Sequence, residues 1–328
     1  MHLWNIYHPE IPEFLQAAAQ TPAMQRLRDV GMNCGCEYTG FPVFAGIRPY
    51  SRFDHSVGVG LIVWHFTGSR QQAMAGLLHD IATPVFAHVI DFLHGDHMTQ
   101  ESTEADTAAW IRRNRELCRV LERYGLDTEA VEDYHRYSIA DNDSPRLCAD
   151  RLEYTLGNAV NYGILSDAQA QACYEDLVVG TNEFGEPELV FRSAAWGEIF
   201  ANAALECSKI YVSDPDRYAM EALAELLKQA IAQGVLAEGD LYGQEQTVIA
   251  RLERSEFREH WKHFRSFHEI LRRDTPGTEA GWKRIFAKKR CIDPYILQTG
   301  RVSALSPAFA QNLQTFRAKS QDYWLNAR

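Results

Sequence analysis

Cysteine pairs spaced for metal or redox chemistry are missing from this chain. Its seven cysteines are odd in number, lie scattered through segments that read as helical, and include no CxxC. That usage points to reduced thiols rather than a disulfide framework. Cys34-Gly-Cys36, with no second pair to complete a site, reads as two ordinary buried thiols. Long apolar runs are missing too: no uninterrupted stretch nears the ~20 residues of a membrane helix. The start, Met1-His-Leu-Trp-Asn-Ile-Tyr-His8, has neither a basic segment nor a long apolar core, so no signal peptide, no membrane partner and a cytoplasmic location are expected. Basic residues are in deficit, 33 Lys and Arg against 44 Asp and Glu, for a net charge of −11. This balance argues against the sequence-independent phosphate grip of a general nucleic-acid binder, while a local basic pocket is still allowed. Repeats, low-complexity tracts and any clear interdomain linker are absent as well. At 328 residues the chain can bury a substantial core.

What is present is mostly helical patterning. Residues 11–31 read as helix, with Thr21-Pro22 as N-cap and first-turn proline and a stop at Gly31. From Gly35 to Tyr50 aromatics and β-branched residues are broken by Gly40, Pro42, Gly46 and Pro49, which predicts a short hairpin or an ordered loop. Helix resumes over 52–66, where Val57, Leu61 and Trp64 recur at helical spacing, and again over 71–81 after the Gly68-Ser69 break. Pro84 forces a turn before a further helix over 86–93. A polar connector follows at 94–100, then helices over 101–124, near 128–137, and, after the turn cluster 140–145, over 146–161. Between Asp176 and Ser193 the pattern shifts to period two around Thr181-Asn-Glu-Phe-Gly-Glu-Pro187, a β-hairpin signature. Two or three amphipathic helices are expected over 194–257, and the last 70 residues mix helix with the basic segment Lys288-Lys289-Arg290 ahead of an extended stretch. The fold class expected is mainly α.

Ligand-type residues cluster within these helices. His79 and Asp80 close the apolar run Ala75-Gly-Leu-Leu, His55 sits in the first turn of its helix, and Asp150 begins another. Two imidazoles and two carboxylates from three helices form a mixed nitrogen and oxygen donor set. With sites left for water, such a set suits Mn, Fe, Mg, Co or Ni better than a closed structural zinc site. His88 and Asp91, three apart, share a helix face behind Pro84, and Asp150 and Tyr154, four apart, share another.

The segments Thr21-Pro-Ala-Met-Gln-Arg-Leu-Arg28, Arg52-Phe-Asp-His-Ser-Val-Gly-Val59, Leu77-Leu-His-Asp80 followed by Pro84-Val-Phe-Ala-His-Val-Ile-Asp91, and Asp150-Arg-Leu-Glu-Tyr154 together resemble the HD-domain phosphohydrolases. The resemblance is to the branch containing the deoxynucleoside triphosphate triphosphohydrolases. It covers most of residues 20–160, with a weaker likeness through 195–255 to Lys288-Lys-Arg-Cys-Ile-Asp-Pro294. It implies an HD helical core over 1–175, with a β-hairpin and a helical C-terminal region over 176–328 packed on that core. It further implies that His55, His79, Asp80 and Asp150 ligate a divalent metal. Arg52 and Arg151 fall where the family contacts phosphates, Tyr154 where it lines the sugar pocket, and His88, oriented by Asp91, where it has a catalytic imidazole. The implied activity is hydrolysis of nucleotides, deoxynucleoside triphosphates first, by a metal-activated water attacking phosphorus. A nucleotide 5′-monophosphatase or phosphodiesterase on the same site, and a nucleotide sensor without turnover, are the alternatives.

The chain departs from that family where it carries Ile81-Ala-Thr83 after the His-Asp pair, Gln100 before Glu101 in place of a second catalytic histidine, and Asn158 one turn after the tyrosine. Gln100 cannot shuttle a proton. His94 and His97 read as part of a solvated loop rather than a second metal site, and Lys288, Lys289 and Arg290 as a solvated charge run. The C-terminal helices offer apolar faces on which a homo-oligomer would form.

Overall fold

In a computed structural model, which describes residues 4–95, 98 and 107–328, helices predominate and two small sheets lie among them. The central element is the His55 helix, Arg52–Thr67. Ser51 caps it by accepting from the Asp54 backbone N–H, while the Asp54 carboxylate accepts from the Ser51 N–H. Gly68 ends it in a left-handed conformation, φ 61°. Apolar residues occupy nearly its whole circumference, so it is buried on most sides rather than along one stripe. It packs on the helix Arg70–Leu78 and crosses the Asp150 helix, Ala149–Asn161.

Several boundaries differ from the sequence pattern. The segment over 11–31 divides into helices Glu13–Ala19 and Pro22–Gln25 and a 3-10 turn, Arg26–Asp29. The Thr21 hydroxyl donates back to the Ala18 carbonyl, closing the first helix before Pro22 opens the second. Gly35–Tyr50 forms no hairpin; it is an ordered loop with 3-10 turns at Cys36–Tyr38 and Pro42–Phe44. Beyond Pro84 the helix restarts only at Val89, running to His94. Thr107–Arg113 and Arg115–Arg123 are separate helices, because the Asn114 side chain accepts from the Leu117 N–H and caps the second. His97, Gln100 and Glu101 lie outside the described residues.

The hairpin is present: β1 (Leu177–Thr181) pairs antiparallel with β2 (Pro187–Phe191). It belongs to a larger sheet than the local pattern predicts. A second antiparallel pair, β3 (Ile270–Arg273) with β6 (Trp324–Ala327), ties off the C-terminus. β4 (Tyr295–Ile296) pairs parallel with β2 and antiparallel with β5 (Gly300–Arg301), giving the order β1-β2-β4-β5. Buried Glu188 on β2 receives Arg301 from β5 and the Leu147 backbone N–H. The sheet is thereby anchored two residues before the Asp150 helix. Helices Ala194–Tyr211 and Asp214–Ala232 complete the surroundings of the site.

Candidate metal centre

His55, His79, Asp80 and Asp150 converge at the floor of one cavity. His55 Nε2 lies 3.2 Å from His79 Nε2, 3.0 Å from Asp150 Oδ1 and 3.8 Å from Asp80 Oδ2. His79 Nε2 is 3.6 Å from both carboxylates. Donors bound at about 2.0–2.2 Å to one cation stand roughly 3–3.6 Å apart; His55, His79 and Asp80 lie close enough together to hold one ion, and Asp150 stands beside the two imidazoles. The opposite nitrogens are already committed. His79 Nδ1 donates to the Gly76 carbonyl at 2.7 Å, which the end of the Arg70–Leu78 helix leaves available, and His55 Nδ1 donates to Glu153 at 2.6 Å. Both imidazoles therefore turn Nε2 lone pairs toward each other, a repulsive arrangement unless a cation or proton lies between them.

Burial opposes charge on His55, but its hydrogen bonds to Asp150 and Glu153 outweigh that and raise it to about 10. Asp80 is held below the ordinary carboxylate range: burial pushes it up, yet the Arg52 guanidinium, 2.9 Å away, and the two histidines prevail. Asp150 is lowered in the same way by the hydrogen bonds from His55 and His79. Its position in the first turn of its helix also suits a carboxylate.

Glu153 was not among the candidate ligands, yet it orients one of them. Its Oε2 accepts from His55 and from the Tyr50 hydroxyl, and it is fully buried. Gly58 makes room for it: a Cβ there would stand 2.6 Å from Glu153 Cγ. The available sequence signal was spacing, since Asp150 and Glu153 are three apart on one helix face. Thr83 also acquires a role, donating to Asp80 Oδ1 at 2.9 Å and so steadying a candidate metal donor.

His88 lines the cavity, its Nδ1 2.8 Å from buried Asp91. Burial lowers its pKa; the Asp91 hydrogen bond raises it, and the Arg290 and Arg52 charges lower it further. The turn leading to His88 is strained: Phe86 and Ala87 both adopt left-handed backbone, φ 59° and 43°. Glu245, distant in sequence, holds that turn by accepting from the Phe86 N–H as well as from Gly31 N–H and the Tyr38 hydroxyl.

Arg52 and Tyr154 face the cavity; Arg151 does not. The Arg151 guanidinium donates to the Arg146 carbonyl at 2.8 Å and to Asn142, and pairs with Asp141 at 3.3 Å. Its phosphate role is thereby displaced, because its donors are spent holding the turn before the Asp150 helix. The basic run over 288–290 is not simply solvated, since Lys288 and Arg290 line the cavity. Tyrosines 154, 162 and 211 form its wall, where Asn158 Nδ2 donates to Tyr211 and Asn158 Oδ1 is buried without a partner among the described residues. His94 stands outside this lining.

The fold is shared with solved structures along nearly the whole chain. A hypothetical protein from Aquifex aeolicus superposes with a TM-score of 0.66 at 18% identity, covering 97% of this chain and 93% of its own. A phosphohydrolase from Bacteroides thetaiotaomicron gives 0.64 at 15%, covering 97% and 96%. In sequence, the chain is 26% identical over 287 residues to the uncharacterized protein YdhJ of Bacillus subtilis, covering 86% of this chain and 83% of that one. It is 31% identical over 173 residues to the metal-dependent phosphohydrolase cns2 of Cordyceps militaris, 52% of this chain and about half, 47%, of the relative. No protein-family model matches. No helix among the described residues is long and apolar enough to cross a membrane.

Proposed function

We propose that this chain is a metal-dependent phosphohydrolase acting on nucleotides, with deoxynucleoside triphosphates as the leading substrate class. The observation that carries the reading is the pair of Nε2 atoms 3.2 Å apart, each imidazole fixed by an Nδ1–H donated elsewhere and flanked by Asp80 and Asp150. A divalent cation held by His55, His79, Asp80 and Asp150 would lower the pKa of water and polarise a phosphoryl group. Arg52, half of an ion pair with Asp80, faces the cavity where negative charge develops during phosphoryl transfer. His88 is within the same cavity, and Asp91 fixes its Nδ1, leaving Nε2 to exchange a proton with a leaving oxygen. The tyrosine wall offers aromatic faces and hydroxyls to a sugar and base.

The test is metal analysis of the purified protein together with a nucleotide panel assayed with Mn²⁺, products being separated by chromatography and Asp80→Ala serving as control. Tripolyphosphate and deoxynucleoside, lost in the variant, are expected. Orthophosphate alone, or a linear nucleotide from a cyclic one, would replace the triphosphohydrolase assignment with a phosphatase or phosphodiesterase. No turnover of any nucleotide would overturn the enzymatic reading.

A further inference from the structure

The chain between Arg284 and Pro294 forms no helix or strand and passes over the cavity that holds the metal donors. It is fastened along its length. Arg284 pairs with Asp322, the Ala287 N–H donates to Gln321 Oε1 at 2.8 Å, and Lys289 Nζ donates to the Arg317 carbonyl at 2.7 Å. Beyond these, the Cys291 carbonyl accepts from Ser144 at 3.0 Å and the Asp293 N–H donates to the Pro145 carbonyl at 2.9 Å. The strap is thus bound to the end of the helix Pro307–Ala318 and the segment that follows it, and to the turn that precedes Asp150. Side chains alternate along it: Lys289 turns to the helix end, whereas Lys288 and Arg290 turn to the cavity.

With Arg52 these two side chains make a series of cations graded in depth. Arg52 is buried at the floor beside Asp80, Arg290 is half-buried, and Lys288 is exposed. Arg290 lines the same cavity as His88, the proposed acid, and Tyr154 of the tyrosine wall. A lone phosphoryl group held at the floor has no further anionic group to offer the shallower cations. A chain of phosphates does. A strap already fixed by hydrogen bonds also loses little conformational entropy on meeting that chain.

We infer that Lys288 and Arg290 are substrate-binding residues that grip a polyphosphate chain running from the Arg52 floor to the mouth of the cavity. This assignment rests on the phosphohydrolase reading and narrows it to substrates with more than one phosphate. It also supplies cations on the side from which Arg151 is turned away.

The experiment is calorimetric titration of the metal-stripped full chain, in chelator and at constant ionic strength, with orthophosphate, pyrophosphate and inorganic tripolyphosphate. Wild type, Lys288→Gln, Arg290→Gln, Arg290→Lys and the remote surface variant Lys262→Gln are compared, with the melting temperature of each unliganded variant confirming its fold. Wild-type affinity should rise from orthophosphate to tripolyphosphate. Each Gln variant should lose about tenfold or more for tripolyphosphate, and much less for orthophosphate, with Arg290→Lys retaining part and Lys262→Gln unchanged. Equal tripolyphosphate affinity in wild type and folded strap variants would overturn the inference, even if nucleotides are hydrolysed. Strap-dependent tripolyphosphate binding with no nucleotide turnover would support it while removing the proposed activity.

Discussion

His55 and His79 face each other across 3.2 Å, Nε2 to Nε2, with each Nδ1 already donating to a different acceptor. In the metal-free protein a proton relieves this opposition; burial disfavours it, but hydrogen bonds to Asp150 and Glu153 raise His55 to about 10. Metal binding at pH 8 should therefore release protons, about one per ion, measurable with an indicator dye. At 100 times the dissociation constant, Mn²⁺ should add about 2.7 kcal/mol of stability, and His79→Ala should abolish both effects. The metal-free protein should also lose stability as pH rises from about 6.5 through about 10. A histidine raised on folding contributes fully below its unfolded value and not above its folded one.

Glu153 orients His55, and Gly58 leaves the space that Glu153 needs. Replacing Glu153 with Gln should weaken metal affinity by about 10–100-fold, the usual effect of losing a ligand's hydrogen-bond partner. Gly58→Ala should do likewise by displacing the carboxylate, and competition against a fluorescent chelator reads both.

If His88 donates its proton to the leaving group, activity should fall as pH rises through its pKa, which burial sets below 6.5. His88→Gln should cost about 10²–10⁴-fold in kcat and remove that limb. Arg290→Gln should move the limb upward in pH, because the Arg290 charge lowers His88.

Glu37 is raised to about 8, first by burial and then by repulsion from Glu245. The folded state thus holds a proton that the unfolded chain releases near 4.5, and stability should decline as pH rises from about 4.5 through about 8. Glu37→Gln should flatten that decline and raise the melting temperature at pH 8. Thermal scans from pH 5 to 9 test this.

The helices that carry His55 and Asp150 were legible because their signals are local. Helical periodicity after Ser51 and a period-two segment at 177–191 identify elements without any knowledge of their neighbours. Other features are decided by distant residues. The pattern over 35–50 leaves a hairpin and an ordered loop both open, and packing decides for the loop; nothing near Phe86 reveals that Glu245 supports its left-handed backbone. Arg151 illustrates a different limit: its place beside Asp150 is local, but the direction of its guanidinium depends on Asn142 and Asp141 in a turn folded against it.

By itself the sequence determined the helical class, the hairpin and the chemical types of the donor set, because periodicity, capping and residue identity act over a few positions. Tertiary structure alone decided that the other three candidate donors come within 4 Å of His55, that Glu153 and Thr83 steady His55 and Asp80, and that a strap over 288–290 reaches the cavity beside the helix begun at Arg52. Those relations depend on packing between segments separated by up to more than two hundred residues, and packing is set by shape and burial rather than by spacing along the chain.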